Sequence, residues 1–183
     1  MKALSKAAII AGLFATGTAF ADPTVIDTAT YNGHTYQLLS ADSWTASEAF
    51  AVSQGAHLVA VNDAAENNFL LSRFGSNEVL WLGLQRTAPN APTFAWTNGD
   101  AVTYTNWAAG EPNNCCNGEN YVHTYTNGQW NDLDNLSGWA GPKHGVIEVA
   151  AVPEPETYAM MLAGLGLLGF AARRKQKGAK LAA

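Results

Sequence analysis

Side-chain oxygens crowd one stretch of the chain: Asn106-Trp107-Ala108-Ala109-Gly110-Glu111-Pro112-Asn113-Asn114, then Gly118-Glu119-Asn120-Tyr121, then Gln129-Trp130-Asn131-Asp132. Glu111, Asn113, Glu119, Asn131 and Asp132 are hard oxygen donors, the kind Ca²⁺ gathers in sets of about six to eight and Zn²⁺ does not favour. A metal cage is one use for such a cluster. Turn formation is the other, because Asn, Asp and Gly also supply tight turns. Covalent chemistry is poorly provided for, with no Gly-x-Ser-x-Gly, His-Glu-x-x-His or Cys-x-x-Cys anywhere in the chain. Glu111 and Glu119 resemble a glycosidase carboxylate pair, yet ligand duty accounts for both. His34, His57, His123 and His144 are scattered and read as structural or surface residues. The chemistry points to a binding protein and not an enzyme.

Two helices and a set of short strands must position these oxygens. Ser43-Trp44-Thr45 opens a helical pattern running to Gln54, and Gly55 stands where a C-terminal cap belongs. Asp63 with Glu66 forms a capping box, followed by Ala65, Phe69, Leu70 and Phe74 at helical spacing. From Val79 onward the pattern changes to short runs, Leu80 to Leu84, Phe94-Ala95-Trp96, Asn120 to Thr124 and Val146 to Val149, divided by Asn-Gly turns. These runs predict antiparallel sheet. Gly83 to Trp130 is long and irregular, and Trp81, Trp96, Trp107 and Trp130 argue that it is packed.

All 15 Asp and Glu lie between Asp22 and Glu156, against only Arg73, Arg86 and Lys143, so this segment carries 3 basic and 15 acidic side chains, a net charge of −12. Such a surface repels phosphate backbones and anionic headgroups, which excludes nucleic acid as a partner and favours neutral or cationic ligands. The two ends read as export signals. Residues 1–21 show Lys2 and Lys6, an apolar run from Ala7 to Ala15, and small residues around Ala19-Phe20-Ala21, the order of a secretory signal peptide. Val152-Pro153-Glu154-Pro155 is followed by an apolar stretch from Tyr158 to Ala172 and then Arg173, Arg174, Lys175, Lys177 and Lys180. As a helix that stretch is about 22 Å long, short of a hydrocarbon core of about 30 Å. Its basic end would stay cytoplasmic. Gly164 to Gly169 matches a dinucleotide fingerprint by letters, without the strand before it or the acidic residue after it that the fingerprint requires. Residues 22–151 remain as one domain.

Pro153-Glu154-Pro155, a short apolar helix and Arg173-Arg174 resemble the bacterial PEP-CTERM sorting signal over residues 152–183. That resemblance implies transient membrane insertion, cleavage by an exosortase after signal peptidase has acted, and delivery to the cell surface or extracellular polymer. A permanent tail anchor is the other reading. The domain itself resembles a C-type lectin-like domain from Tyr31 to Val149. Trp81-Leu82-Gly83-Leu84 looks like that family's core strand, Phe94 and Trp96 its aromatic pair, Trp130-Asn131-Asp132 its calcium-binding strand and Glu111-Pro112-Asn113 its mannose-type triplet. The implied fold is α+β, two short helices flanking antiparallel sheets with a long calcium-binding loop region.

The resemblance also implies a Ca²⁺ site of Glu111, Asn113, Glu119, Asn131 and Asp132, the last giving a backbone oxygen as well, with Pro112 cis. The same Glu111, Asn113, Glu119 and Asn131 would meet the hydroxyls of mannose, glucose or N-acetylglucosamine. The alternative implied by the family is a module that recognises a protein or other non-sugar surface. Departures are informative. The four positions of the family's usual disulfides hold Ala51 with Ile147 and Tyr121 with Asn135, so apolar packing must replace a restraint worth about 2–4 kcal/mol per bridge. Asn114 and Asn120 stand where secondary calcium sites use carboxylates, which argues against a second ion. Cys115 and Cys116 adjoin each other in the loop, leaving a vicinal disulfide, an intermolecular bridge and a redox role all open.

Overall fold

This computed structural model describes residues 22–116, 118–135, 141–149, 162, 163 and 165. The signal-peptide segment and the sorting residues Pro153, Glu154, Pro155, Arg173 and Arg174 lie outside the described residues. Among the described residues no helix is long and apolar enough to cross a membrane.

β1 (Val25–Tyr31) and β2 (His34–Ala41) pair through a two-residue turn, Asn32 at φ 49° and Gly33 at φ 84°. Left-handed values at both positions are what a tight hairpin turn demands, and Asn-Gly supplies them at least cost. The sequence reading began the sheet at Val79, so this hairpin is an addition. Helix α1 (Trp44–Ser53) starts under the Ser43 hydroxyl, which accepts from Ala46 N at 3.2 Å, and Gly55 at φ 72° follows its end. Helix α2 (Ala64–Leu70) starts under Asp63, which accepts from Glu66 N at 2.8 Å, and runs on into a π-helical turn, Leu71–Gly75. The expected capping box is half formed. The Glu66 carboxylate turns inward to accept from Asn62 N at 2.8 Å and from the Tyr36 hydroxyl at 2.6 Å, tying the helix to β2.

The remaining strands are β3 (His57–Leu58), β4 (Val79–Arg86), β5 (Phe94–Trp96), β6 (Tyr121–Thr124), β7 (Trp130–Leu133) and β8 (Lys143–Val149). Their order is β1-β2-β8-β4-β6-β7, with β3 on β8 and β5 on β4. Every strand pair is antiparallel except β4 with β8, which run parallel from Val79↔Lys143 to Trp81↔Gly145. The α+β class therefore stands, and the all-antiparallel expectation is corrected to a mixed sheet. Two distant segments, one on each side of the irregular region, meet here, so no local turn could dictate their direction.

β4 is buried on both faces, and its period of two sorts its side chains into separate cores. Leu80, Leu82 and Leu84 face a cluster with Tyr36, Val59, Trp96 and Trp130. Trp81 faces the other cluster, with Leu39, Trp44, Ala51, Leu58 and Ile147. Gly83 shares the Trp81 face because another backbone passes there: a β-carbon would lie 2.3 Å from the Leu58 carbonyl oxygen. Ala51 and Ile147 are fully buried in one cluster, so apolar packing has replaced a bridge as expected. At the other lost bridge, the Tyr121 ring stacks on Trp44 at 4.4 Å and Asn135 hydrogen bonds to Thr45 at 2.9 Å. Both partners now clasp the first turn of α1.

His123 on β6 is fully buried, edge-on to Trp81. Burial pushes its pKa down to about 4, so the ring is neutral near pH 7. Its Nδ1 donates to the Thr124 carbonyl at 2.9 Å.

Gly83→Ala is expected to destabilise the fold by about 2–3 kcal/mol, because its added methyl meets backbone and not a yielding side chain. Urea denaturation checks this. An ordinary His protonates in the unfolded chain below about pH 6.5 while His123 in the folded chain resists until about pH 4. Unfolding therefore binds the extra proton in that window, and stability falls as pH drops through it, by about 3 kcal/mol at most. His123→Gln should flatten that part of the stability profile measured by denaturation from pH 7 to pH 4.

Candidate functional site

Trp130 sets the position of the oxygen-rich loop. Its ring is fully buried and meets Trp96, Tyr104 and Trp107 edge to face at 5.9, 5.7 and 5.8 Å, while Nε1 donates to Asn67 Oδ1 at 2.8 Å. Its backbone joins the loop to the sheet, donating to the Asn106 carbonyl at 2.8 Å and accepting from Ala108 N at 2.9 Å. A turn then places Glu111, whose N–H donates to the Ala108 carbonyl at 3.0 Å. The Glu111-Pro112 peptide is cis, as the family resemblance implied.

A cavity of about 340 Å³ opens between this loop and β7, with Glu111, Asn113, Glu119 and Asn131 on its polar side, joined by Asp134, which the sequence did not single out. Glu119 and Asn131 are buried, Glu111 is half-buried and Asn113 is exposed. Burial and then the Asp132 charge hold the Glu111 carboxyl above the usual range. Burial raises Glu119 as well, opposed by the Cys115 N–H that donates to its Oε2 at 2.9 Å and reinforced by the charges of Asp132 and Glu111. In both, burial is the larger cause and neighbouring negative charge adds to it. Glu111 Oε2 is moreover buried with no hydrogen-bond donor among the described residues.

Asn131 is oriented from behind. A carbonyl only accepts, so the Thr124 carbonyl fixes the proton of neutral His123 on Nδ1 and leaves Nε2 as an acceptor. Nε2 takes the Asn131 Nδ2 proton at 3.1 Å, and the Asn131 amide oxygen is thereby left for the cavity. His123 was assigned no part in the site by the sequence, which shows neither its burial nor its neighbour across the β6–β7 pair.

Asp132 lies beneath the cavity and does not line it. Its Oδ1 accepts from Asn113 N and its Oδ2 from Asn114 N, each at 3.0 Å, and Oδ2 also accepts from Arg86 Nη2. Arg86 is buried too, and its Nε donates to the Glu119 carbonyl at 2.6 Å while its guanidinium covers the Phe94 ring at 4.6 Å. One fixed cation thus binds β7, the Glu119 segment and the Asn113-Asn114 turn. The sequence offered one sign of it, a lone base at the end of β4 in a strongly acidic segment. Asn114, at φ 50°, returns its own Oδ1 to Glu119 N at 3.0 Å.

Among the described residues no three His, Cys, Asp or Glu converge as a metal cluster. The donor set facing the cavity is instead three carboxylates, Glu111, Glu119 and the exposed Asp134, and two amides, all oxygen, with the Asp132 carboxylate committed to Arg86. Such donors fit a hard cation of the Ca²⁺ type. The orphaned Glu111 oxygen is consistent with that fit.

The profile of the Lectin C-type domain matches residues 40–137. The chain belongs to the C-type lectin domain family. A PEP-CTERM protein-sorting motif matches residues 151–175, a motif of exported proteins processed at a membrane. Among relatives, human C-type lectin domain family 17, member A is 37% identical over 94 residues, 51% of this chain and 24% of that protein. Lectin BRA-3 of Megabalanus rosa is 34% identical over 119 residues, 61% of this chain and 71% of that lectin. The chain spans 24%, 29% and 47% of the length of three of its curated relatives. The C-type lectin CEL-I from Cucumaria echinata superposes with a TM-score of 0.61 at 26% identity, covering 69% of this chain and 97% of that one. The cow C-type carbohydrate-recognition domain of CD23, solved in the presence of a GlcNAc2Man3 oligosaccharide, shares the fold at a TM-score of 0.62 and 24% identity over 73% of this chain and all of that one. C-type lectin domains are binding modules, and this one is not an enzyme.

Arg86→Met is expected to cost about 3–5 kcal/mol of stability, because it leaves the fully buried Asp132 carboxylate without its counter-charge. Guanidinium denaturation checks this, and Arg86→Lys should recover only part of the loss, since an ammonium cannot repeat the planar fork.

Proposed function

We propose that this chain is an exported, calcium-dependent sugar-binding protein. Glu111, Asn113, Glu119 and Asn131 would hold both Ca²⁺ and the sugar, with Asp132 as a further ion ligand through its backbone oxygen. The observation that carries this reading is the buried Glu111 oxygen without a donor, beside a second carboxylate raised by burial and like charge. Calcium, when bound, supplies the positive charge that these acceptors lack and a coordination shell that sugar hydroxyls can complete.

The protein's own part is stereochemical. A carboxylate only accepts hydrogen bonds, whereas an amide also donates them, so Glu111 and Asn113 on either side of Pro112 present an acceptor and a donor to adjacent hydroxyls. This order of acceptor and donor favours mannose, glucose and N-acetylglucosamine configurations. An acidic domain surface further favours neutral over anionic polysaccharide. The mature chain would comprise residues 22–151, freed by signal peptidase and an exosortase after transient insertion of the tail, and would act at the cell surface or on extracellular polysaccharide.

A glycan array probed with the full-length chain, with and without Ca²⁺, tests the reading. Glu111→Gln with Asn113→Asp should shift preference from mannose-like to galactose-like sugars, and wild-type dissociation constants should be near millimolar, about −4 kcal/mol. Calcium should also raise the melting temperature, with about 2.7 kcal/mol of added stability at about 100 times its dissociation constant. Identical melting in chelator and in millimolar Ca²⁺ sinks the proposal. Calcium-dependent melting without any bound glycan would assign the site to a protein or other non-sugar surface.

A further inference from the structure

Beside the oxygen donors, the cavity has a lining of a different character. Cys115 and Cys116 are joined to each other, both are exposed, and with Leu133 they supply the non-polar part of a cavity whose polar lining is Glu111, Asn113, Glu119, Asn131 and Asp134. Their placement is fixed by the backbone. Cys115 N donates to Asn113 Oδ1 at 2.7 Å and to Glu119 Oε2 at 2.9 Å, and Cys116 is held at φ 58°. Glu119 Oε1 lies 3.5 Å from Cys115 Sγ, a van der Waals contact, since a disulfide sulfur carries no proton. A group bound at Glu119 Oε1 on its cavity side therefore lies close to the sulfur.

A disulfide with its two methylenes offers a polarisable surface that accepts hydrogen bonds weakly and donates none. It gains contact energy from a methyl and loses a partner when faced by a hydroxyl. We propose that the Cys115–Cys116 disulfide is a ligand-contacting wall which, with Leu133, receives the methyl of an acetamido substituent on the bound sugar. The proposal rests on the sugar-binding reading above and narrows it, from hexoses of one hydroxyl stereochemistry to N-acetylated hexosamines among them. It also gives the oxidised state a role. Two-electron reduction by an external dithiol would break the S–S bond, place a proton on each sulfur and oxidise the dithiol to its own disulfide. The wall would then open, and the Cys115 thiol would become a donor aimed at Glu119 Oε1, competing with the ligand for that oxygen.

The experiment measures affinities of the full-length chain for N-acetylglucosamine and for glucose in millimolar Ca²⁺, by competition against an immobilised mannosylated carrier. Wild type should prefer the acetamido sugar by about fourfold, the factor expected for burying one methyl. In the Cys115→Ser, Cys116→Ser double variant the ratio should fall to about one. General loosening of the loop would weaken both sugars alike and leave the ratio unchanged, so the ratio separates a contact from a purely structural role. If the double variant fails to fold, wild type reduced with a phosphine and then alkylated with iodoacetamide provides the same comparison. In saturation-transfer NMR the acetamido methyl should carry the strongest signal in wild type. Equal affinities in wild type, or a preference that survives loss of the disulfide, overturns the wall while leaving calcium-dependent sugar binding intact. Binding of neither sugar overturns both.

Discussion

The site depends on the burial of a single indole. Trp130 is closed in by three aromatic rings and by Asn67, and its backbone is shared between the last strand of the sheet and the loop that carries Glu111. Because aromatic edges on several sides leave the ring one position, the next two residues of the strand have no freedom in direction. Asn131 is delivered toward the cavity and Asp132 toward the protein interior. A loop rich in Asn and Gly would otherwise populate many conformations, and its order is borrowed from a core on the far side of one backbone.

Charge is arranged around that anchor in two layers. The inner layer is neutral overall, since Arg86 and Asp132 cancel and the turn amides of Asn113 and Asn114 complete the carboxylate's hydrogen bonds. Above it stand Glu111 and Glu119, which have no comparable cation among the described residues and whose carboxyls are pushed upward by burial first and by neighbouring negative charge second. The loop can thus be held in shape by the chain's own cation while its outer carboxylates stay under electrostatic tension. Under the calcium-binding proposal an external cation would relieve that tension, which is distinct from the forces that fold the domain.

Much of this was readable from residue order. The alternation around Leu80 to Leu84, the Phe94-Ala95-Trp96 pair, both helix starts and the cluster of loop oxygens each follow from local pattern. What escaped was set by partners far along the chain. β1 is an edge strand whose exposed positions mix Val25 and Ile26 with Thr28 and Thr30, so no clean alternation of buried apolar and exposed polar residues announces it; the Asn32-Gly33 turn does. The parallel β4–β8 contact joins segments on either side of the irregular region, where spacing carries no signal. The roles of Arg86 and His123 are properties of burial and of neighbours across strands, which a linear reading of a basic or an imidazole side chain cannot supply.

Cross-linking by sulfur has been moved within this fold. The positions that would staple the scaffold hold Ala51 and Ile147 in packed contact, and Tyr121 and Asn135 around the first turn of α1. The described cystine sits in the loop between Glu111 and Glu119 and spans adjacent residues, so it closes almost no length of chain and restrains the unfolded ensemble little. Assembly of the core is consequently independent of thiol chemistry. With two cysteines and one intramolecular pairing, the polypeptide has no need of an isomerase to sort pairings. Oxidation is a local event, confined to two adjacent residues of one exposed loop.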